Sequence, residues 1–208
     1  MKQETKSKQI RPGATIGILG GGQLGRMIAL AGRAMGYRFV TMDPTPDAPC
    51  GQAADRQIVA PYDDVAAARQ LAGVSDVISY EFENVDAQVA EVLESEAYVP
   101  QGSRLLRITQ NRIREKTAIR EMGIPVALFR VVTSLADLNQ AVRELGLPAV
   151  MKTATGGYDG KGQWVLKRED ELAEAFETLS RAGTELIVEQ YVPFQMELSV
   201  VAARNPAG

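Results

Sequence analysis

The chain has 208 residues, 45% of them apolar, and a formal charge of −3 with basic and acidic residues mixed throughout. That is ample material for a soluble core of one large or two small domains, and it offers no broad electropositive surface to neutralise a phosphate backbone, so nucleic acid is not an expected partner. The absence of histidine removes imidazole zinc sites, Ser-His and Cys-His pairs and histidine general bases, leaving carboxylates, lysines, backbone amides or a borrowed metal for any chemistry.

The extension over residues 1–14 is polar, and the segment before Ile10 lacks the apolar stretch of a secretory signal. No apolar run approaches the roughly 20 residues of a membrane span, and the lone Cys50 has no partner for an internal disulfide. A cytoplasmic protein without a membrane partner is expected. Thr15–Gly20 reads as a strand ending in glycines, and Leu24–Met35 as a helix stopped by Gly36. Tyr37–Asp43 is a second strand before the Asp43-Pro44-Thr45-Pro46 turn, Gln57–Ala60 a third, Val65–Leu71 a helix and Asp76–Phe82 a fourth strand. This alternation predicts an α/β fold with a parallel sheet covered by helices. Val85–Leu93 reads as a further helix, Tyr98–Pro100 as a last short strand, and Arg104–Asn111 as a polar linker, with the domain boundary at 106/107.

Beyond it come a helix over Arg112–Met122, a strand over Val126–Val132 and a helix over Leu135–Leu145. Ala149–Thr153 is then a strand, Ala154–Gly162 a glycine-rich loop, Gln163–Lys167 a returning strand, Glu171–Leu179 a helix and Leu186–Gln190 a strand. Past Pro193, Glu197–Ala203 alternates as one more strand. The terminal Asn205-Pro206-Ala207-Gly208 reads as a turn leading to another strand, so the second, α+β unit is expected to be incomplete.

Gly20, Gly22 and Gly25 match G-x-G-x-x-G between strand and helix, where amides and the helix dipole favour an anion. Asp43 stands where a ribose-binding acid would, so an NAD-binding oxidoreductase fits this motif, as does a mere tight turn. Gln23 inside the loop suits a phosphorylated small molecule. Glu81 and Glu83 fall on one face of the fourth strand, at the ligand edge of an open sheet. The second cluster, Gly156-Gly157-Tyr158-Asp159-Gly160-Lys161-Gly162-Gln163, lies between two strands with Lys152 near the end of the first. It is not a Walker A loop, which leads through Gly-Lys-Ser/Thr into a helix. A glycine hairpin donating amides to β and γ phosphates fits, with Lys152 and Lys161 adding charge-assisted bonds of roughly 1.5 to 3 kcal/mol each. Glu189-Gln190-Tyr191-Val192 ends a strand where backbone groups can meet an adenine edge, and Glu197 follows at a distance suited to a ribose hydroxyl. Taken alone, these are ordinary strand-end carboxylates. Arg112 and Lys116 share a helix face at i, i+4, a stripe that solvation alone would explain.

Taken in order, Gly20 to Arg26, Glu81-Phe82-Glu83-Asn84-Val85, Asn111-Arg112, Lys152 with Gly156 to Gln163, and Glu189-Gln190 resemble the ATP-grasp ligases of purine biosynthesis, over nearly the whole chain from Thr15. The resemblance implies a Rossmann-like sheet of the biotin-carboxylase N-terminal type over 15–106, then the first part of an α+β ATP-grasp domain over 107–208. It implies that ATP is held by Arg112, Lys152, Gly157, Tyr158, Asp159, Gly160, Lys161, Gly162, Gln163, Glu189, Gln190, Tyr191, Val192 and Glu197. It further implies that Gly22, Gln23, Leu24, Glu81 and Glu83 face an aminoimidazole ribonucleotide. Tyr158, Asp159 and Lys161 are the catalytic candidates beside it and bicarbonate. The implied reaction activates bicarbonate with the γ-phosphate of ATP and carboxylates the exocyclic amine, chemistry that positioning and charge neutralisation can drive without histidine. Tyr158-Asp159 points to the carboxylating member rather than a formate-using one. Magnesium is implied, with ligands beyond Gly208, as is a homodimer formed through the N-terminal domain. Because the family continues well past this length, the 208 residues alone are expected to be catalytically incompetent, and a non-catalytic ATP-binding fragment is a further reading. The oxidoreductase reading leaves Lys152 and Gly156–Gln163 without a task.

Overall fold

The computed structural model describes residues 8–81, 83–157 and 161–202, and the chain divides into two compact units between Arg107 and Ile108. The first is built on a sheet of parallel strands in the order β3-β2-β1-β4: β1 (Thr15–Leu19), β2 (Arg38–Asp43), β3 (Arg56–Val59) and β4 (Val77–Tyr80). From Phe39 to Asp43 every residue of β2 is buried, the unbroken pattern of a parallel strand covered on both faces. The helices α1 (Gln23–Ala34), α2 (Val65–Gly73) and α3 (Ala87–Glu96) follow β1, β3 and β4, while β2 leads to β3 without a helix. Small residues bring α1 close to the sheet. Its buried positions are Gly25, Ala29 and Gly32, and a Cβ on Gly32 would lie 2.3 Å from the ring of Phe39. Leu24, Met27 and Ile28 therefore face outward.

Caps fix where the next helices begin. Asp64 accepts from the Ala67 amide at 2.9 Å and Asp86 from Val89 at 2.8 Å, each a side-chain acceptor for an otherwise orphan N–H. The helix expected from Val85 thus starts at Ala87, with Val85 itself in the core. Two further expectations are corrected. Tyr98–Pro100 is not a strand and supplies a single rung, the Ile78 amide donating to the Tyr98 carbonyl at 2.9 Å. The supposed linker contains a short helix, α4 (Arg104–Thr109), because Leu106 is buried in the core of the first unit.

The second unit carries an antiparallel sheet in the order β5-β8-β6-β7, formed by β5 (Phe129–Val132), β6 (Ala149–Thr153), β7 (Gln163–Leu166) and β8 (Leu186–Gln190). The helix α6 (Leu135–Leu145) is capped by Ser134, whose hydroxyl accepts from the Asp137 amide at 3.1 Å, and ends at Gly146 with φ +79°. Its buried residues Leu138, Ala141, Val142 and Leu145 recur at helical spacing. Together with α7 (Leu172–Ser180) it packs on Ala149 and Met151 of β6 and Leu186 and Val188 of β8. Because strand side chains alternate, Val150, Lys152, Ile187 and Glu189 belong to the opposite face. That face is approached by the basic side of α5 (Arg112–Glu121), with Arg120 4.9 Å over the ring of Phe129.

The strand expected at Glu197–Ala203 is not formed over its described part, 197–202, which is exposed. No described strand lies beside it, and alternation alone does not make a strand without a pairing edge. Among the described residues no helix is long and apolar enough to cross a membrane.

Candidate functional site

The glycine turn after β1 is closed from within. Glu81 bends back so that its Oε1 accepts from the Gly22 amide at 2.6 Å and its Oε2 accepts from the Gly25 amide. A helix N-terminus attracts an anion through its free N–H groups, and here the anion is a side chain of the protein itself. Asp43 does the same one residue earlier. Its Oδ2 accepts from the Gly21 amide at 2.8 Å and the Tyr62 hydroxyl at 2.5 Å, and its Oδ1 from the Thr45 amide at 2.8 Å. Burial alone would push the Asp43 carboxyl up; the bonds from Tyr62, Thr45 and Gly21 outweigh it and hold the group below the usual carboxylate range. Burial and then the Asp43 bond push the Tyr62 phenol well above its ordinary value.

This geometry corrects the anion-loop reading of G-x-G-x-x-G. The amides that would grip a pyrophosphate are taken by Glu81 and Asp43, and Asp43, only 7% exposed, is already bonded to three donors of the protein. The oxidoreductase reading loses its site. Glu81 and Glu83 also do not share a strand face, because β4 ends at Tyr80. Glu83 is exposed beyond it, and Phe82 between them lies outside the described residues. Gln23 and Leu24 open α1 with exposed side chains.

In the second unit the predicted residues converge on the face of the sheet that α6 and α7 leave open. Val150 of β6 pairs with Glu189 of β8, and Lys152 pairs with Gln163, the residue that closes the glycine loop. The Nζ of Lys152 lies 3.0 Å from Glu189 Oε2, and Lys116 of α5 brings a second ammonium to the same oxygen at 3.3 Å. Glu189 is 5% exposed, and its Oε1 is buried without a hydrogen-bond partner among the described residues. Asn111 caps α5 by accepting from the Ile113 and Arg114 amides at 3.0 and 3.1 Å. That fixes Arg112, whose guanidinium donates to the carbonyls of Thr153, Gly156 and Gly157 at 3.2, 2.7 and 2.8 Å. The base of the loop is therefore tied to the start of α5.

The loop needs glycine where it turns. Gly157 and Gly162 have φ of +74° and +68°, and added Cβ atoms would stand 2.5 Å from the Lys161 carbonyl oxygen and 2.7 Å from Thr153 Oγ1. Tyr158, Asp159 and Gly160 lie outside the described residues, and Lys161 is exposed. Gln190, Tyr191 and Val192 are exposed where β8 ends, and an open depression of about 520 Å³ is lined by Pro148, Val165, Lys167 and Tyr191. Glu197 is not brought into the cluster, being exposed and held by no hydrogen bond or ion pair among the described residues. Lys116 is the member that sequence reasoning passed over; its i, i+4 relation to Arg112 was the available signal. Among the described residues no three or more Asp, Glu, His or Cys side chains are grouped to hold a metal ion, so none of them is assigned to magnesium.

Residues 13–110 match the family model for the ribonucleotide synthetase pre-ATP-grasp domain, and residues 117–208 that for the ATP-grasp domain. Over 203 residues the chain is 53% identical to the N5-carboxyaminoimidazole ribonucleotide synthase of Bacillus subtilis, covering 97% of this chain and 53% of that protein. A crystal structure of an N5-carboxyaminoimidazole ribonucleotide synthetase in complex with ADP superposes with a TM-score of 0.85 at 54% identity, over 89% of this chain and 49% of that one. The Aspergillus clavatus synthase in complex with ADP and 5-aminoimidazole ribonucleotide gives a TM-score of 0.79 at 29% identity, over 88% and 48% of the respective chains. The chain spans about half the length of the curated relatives it matches.

Proposed function

We propose that this chain, which belongs to the N5-carboxyaminoimidazole ribonucleotide synthase family, binds ATP on the open face of its second sheet. Within a protein of its relatives' length it would serve the ATP-dependent carboxylation of 5-aminoimidazole ribonucleotide. The observation that carries the reading is the cluster of Lys152, Lys116 and Glu189 beside a glycine loop, on the face of the sheet opposite α6 and α7. Lys152, Lys161 and the loop amides would meet the phosphates, with Glu189 and the backbone of Gln190–Val192 at the adenine and Glu197 at the ribose. The second substrate would meet Gln23, Leu24 and Glu83 of the first unit, and Tyr158 and Asp159 stay catalytic candidates by resemblance alone. Glu81 and Gly22 would shape that surface indirectly, since each is already spent on the other.

In this reaction a bicarbonate oxygen attacks the γ-phosphorus and ADP leaves. The mixed anhydride then yields CO2 and phosphate, and the exocyclic amine takes the CO2 and loses a proton to become a carbamate. The residues at hand neutralise and position charge, which is what phosphoryl transfer chiefly requires. Magnesium, a cytoplasmic address and a homodimer complete the proposal, with the metal held by residues outside the described set. Residues 15–106 would be the pre-ATP-grasp domain and 107–208 the first portion of the ATP-grasp domain.

Calorimetric titration of the chain with ATP and NADH tests the reading. ATP binding that Lys152→Met abolishes, with NADH inert, is expected, together with no ribonucleotide-dependent ATP turnover by these 208 residues alone. NADH binding without ATP binding would sink it.

A further inference from the structure

The carboxylate of Glu189 holds more cation than its own charge requires. Lys152 and Lys116 both reach Oε2, at 3.0 and 3.3 Å, and the three side chains are only 25%, 19% and 7% exposed. One lysine is enough to pair one carboxylate, so the cluster carries a net positive charge. The lysines are also anchored differently. Lys152 stands on β6 opposite Gln163, at the mouth of the glycine loop, whereas Lys116 stands on α5, one turn beyond the Arg112 that ties down the base of that loop. A buried carboxylate left without a cation is strongly destabilising, so a single lysine could not serve both Glu189 and a phosphate.

We infer that Lys116 is a positioning residue of the nucleotide site: it stays on Glu189 so that Lys152 can leave that carboxylate for a phosphate oxygen without stranding a buried charge. The inference rests on the reading of this face as an ATP site. Glu189 Oε1, buried and without a partner among the described residues, gives the same carboxylate capacity for one further donor. An amino group from the base at Oε1 and Lys116 at Oε2 would satisfy both oxygens once Lys152 has turned away. Lys116 itself need not touch the nucleotide.

The test measures ADP and ATP affinity of the 208-residue chain by calorimetry for the parent and for Lys116→Met, Lys116→Arg, Glu189→Gln and the double variant Lys116→Met/Glu189→Gln. Melting curves for each protein check the fold, and Lys116→Gln replaces Lys116→Met if the latter does not fold. Lys116→Met is expected to weaken ATP by about tenfold or more, since Lys152 is then locked on the bare carboxylate. Lys116→Arg restores most of the affinity. The double variant binds ATP more tightly than Lys116→Met alone, because a neutral amide at position 189 no longer needs a cation. That rescue is the outcome a purely structural role for Lys116 would not give. Unchanged affinity in Lys116→Met, or a double variant no better than it, overturns the inference while leaving the ATP site in place. A parent chain that binds neither nucleotide overturns the ATP reading and this inference with it.

Discussion

Asp43→Asn separates a structural acid from a ribose-binding one. The carboxylate serves three donors with two oxygens, the Gly21 amide and Tyr62 hydroxyl on Oδ2 and the Thr45 amide on Oδ1. An amide has one acceptor, so in either orientation at least one of these donors faces an NH2 group. Each bond to a charged acceptor contributes about 1.5–3 kcal/mol net, and an unsatisfied buried donor adds its own penalty. A loss of about 2–3 kcal/mol at pH 7 is therefore expected, and in a unit of this size that lowers Tm by roughly 10–20 °C. The pH dependence follows from the direction of the shift. The folded carboxyl titrates below its ordinary value of 3.8, so its contribution is complete above that value and is lost as pH falls through the folded one. The gap between parent and variant should be the same at pH 7 and pH 5 and should narrow below about pH 4. Urea unfolding followed by far-UV circular dichroism reads the loss, and fluorescence of Trp164, which sits in the second unit, reports on that unit separately. A variant within about 0.5 kcal/mol of the parent at pH 7, or a gap that persists unchanged to pH 3, would refute the assignment.

Glu81→Gln leaves either the Gly22 or the Gly25 amide facing an NH2 group and should cost about 1–2 kcal/mol in the same urea assay. Gly32→Ala drives a methyl into the Phe39 ring and should destabilise by about 1–3 kcal/mol through overpacking; the measured urea midpoint decides it. Arg112→Met releases the carbonyls of Gly156 and Gly157, and faster proteolytic cleavage between Thr155 and Gln163 is expected, together with an ATP affinity lowered about tenfold.

The parallel sheet was legible because β1, β2 and β4 are mainly apolar runs set off by turn residues and helical patterns, and α6 because Leu138, Ala141, Val142 and Leu145 keep helical spacing. The cap that Glu81 places on the glycine turn was not legible, for a physical reason. G-x-G-x-x-G specifies a turn with free amides but not which anion takes them, and only the fold shows Glu81 bending back from the end of β4. Lys116 was ambiguous because a basic helix stripe looks the same whether it faces water or a buried carboxylate. The alternation of 197–203 was read as a strand, yet a strand also requires a neighbour, which sequence pattern does not supply. α4 escaped because one buried leucine among arginines gives no periodicity to detect.

With the proposed ATP site on the face opposite α6 and α7, the consequence along β6 should be visible in a complete substitution scan scored twice. Ala149 and Met151 lie against α6 and α7, so replacing them should register as loss of abundance. Val150 and Lys152, the alternate positions, point away from those helices, and under the proposed function their replacement should register in ligand affinity at near-normal abundance. The two kinds of intolerance would alternate residue by residue, so that the pleat of one strand insulates the evolution of recognition from the maintenance of the fold.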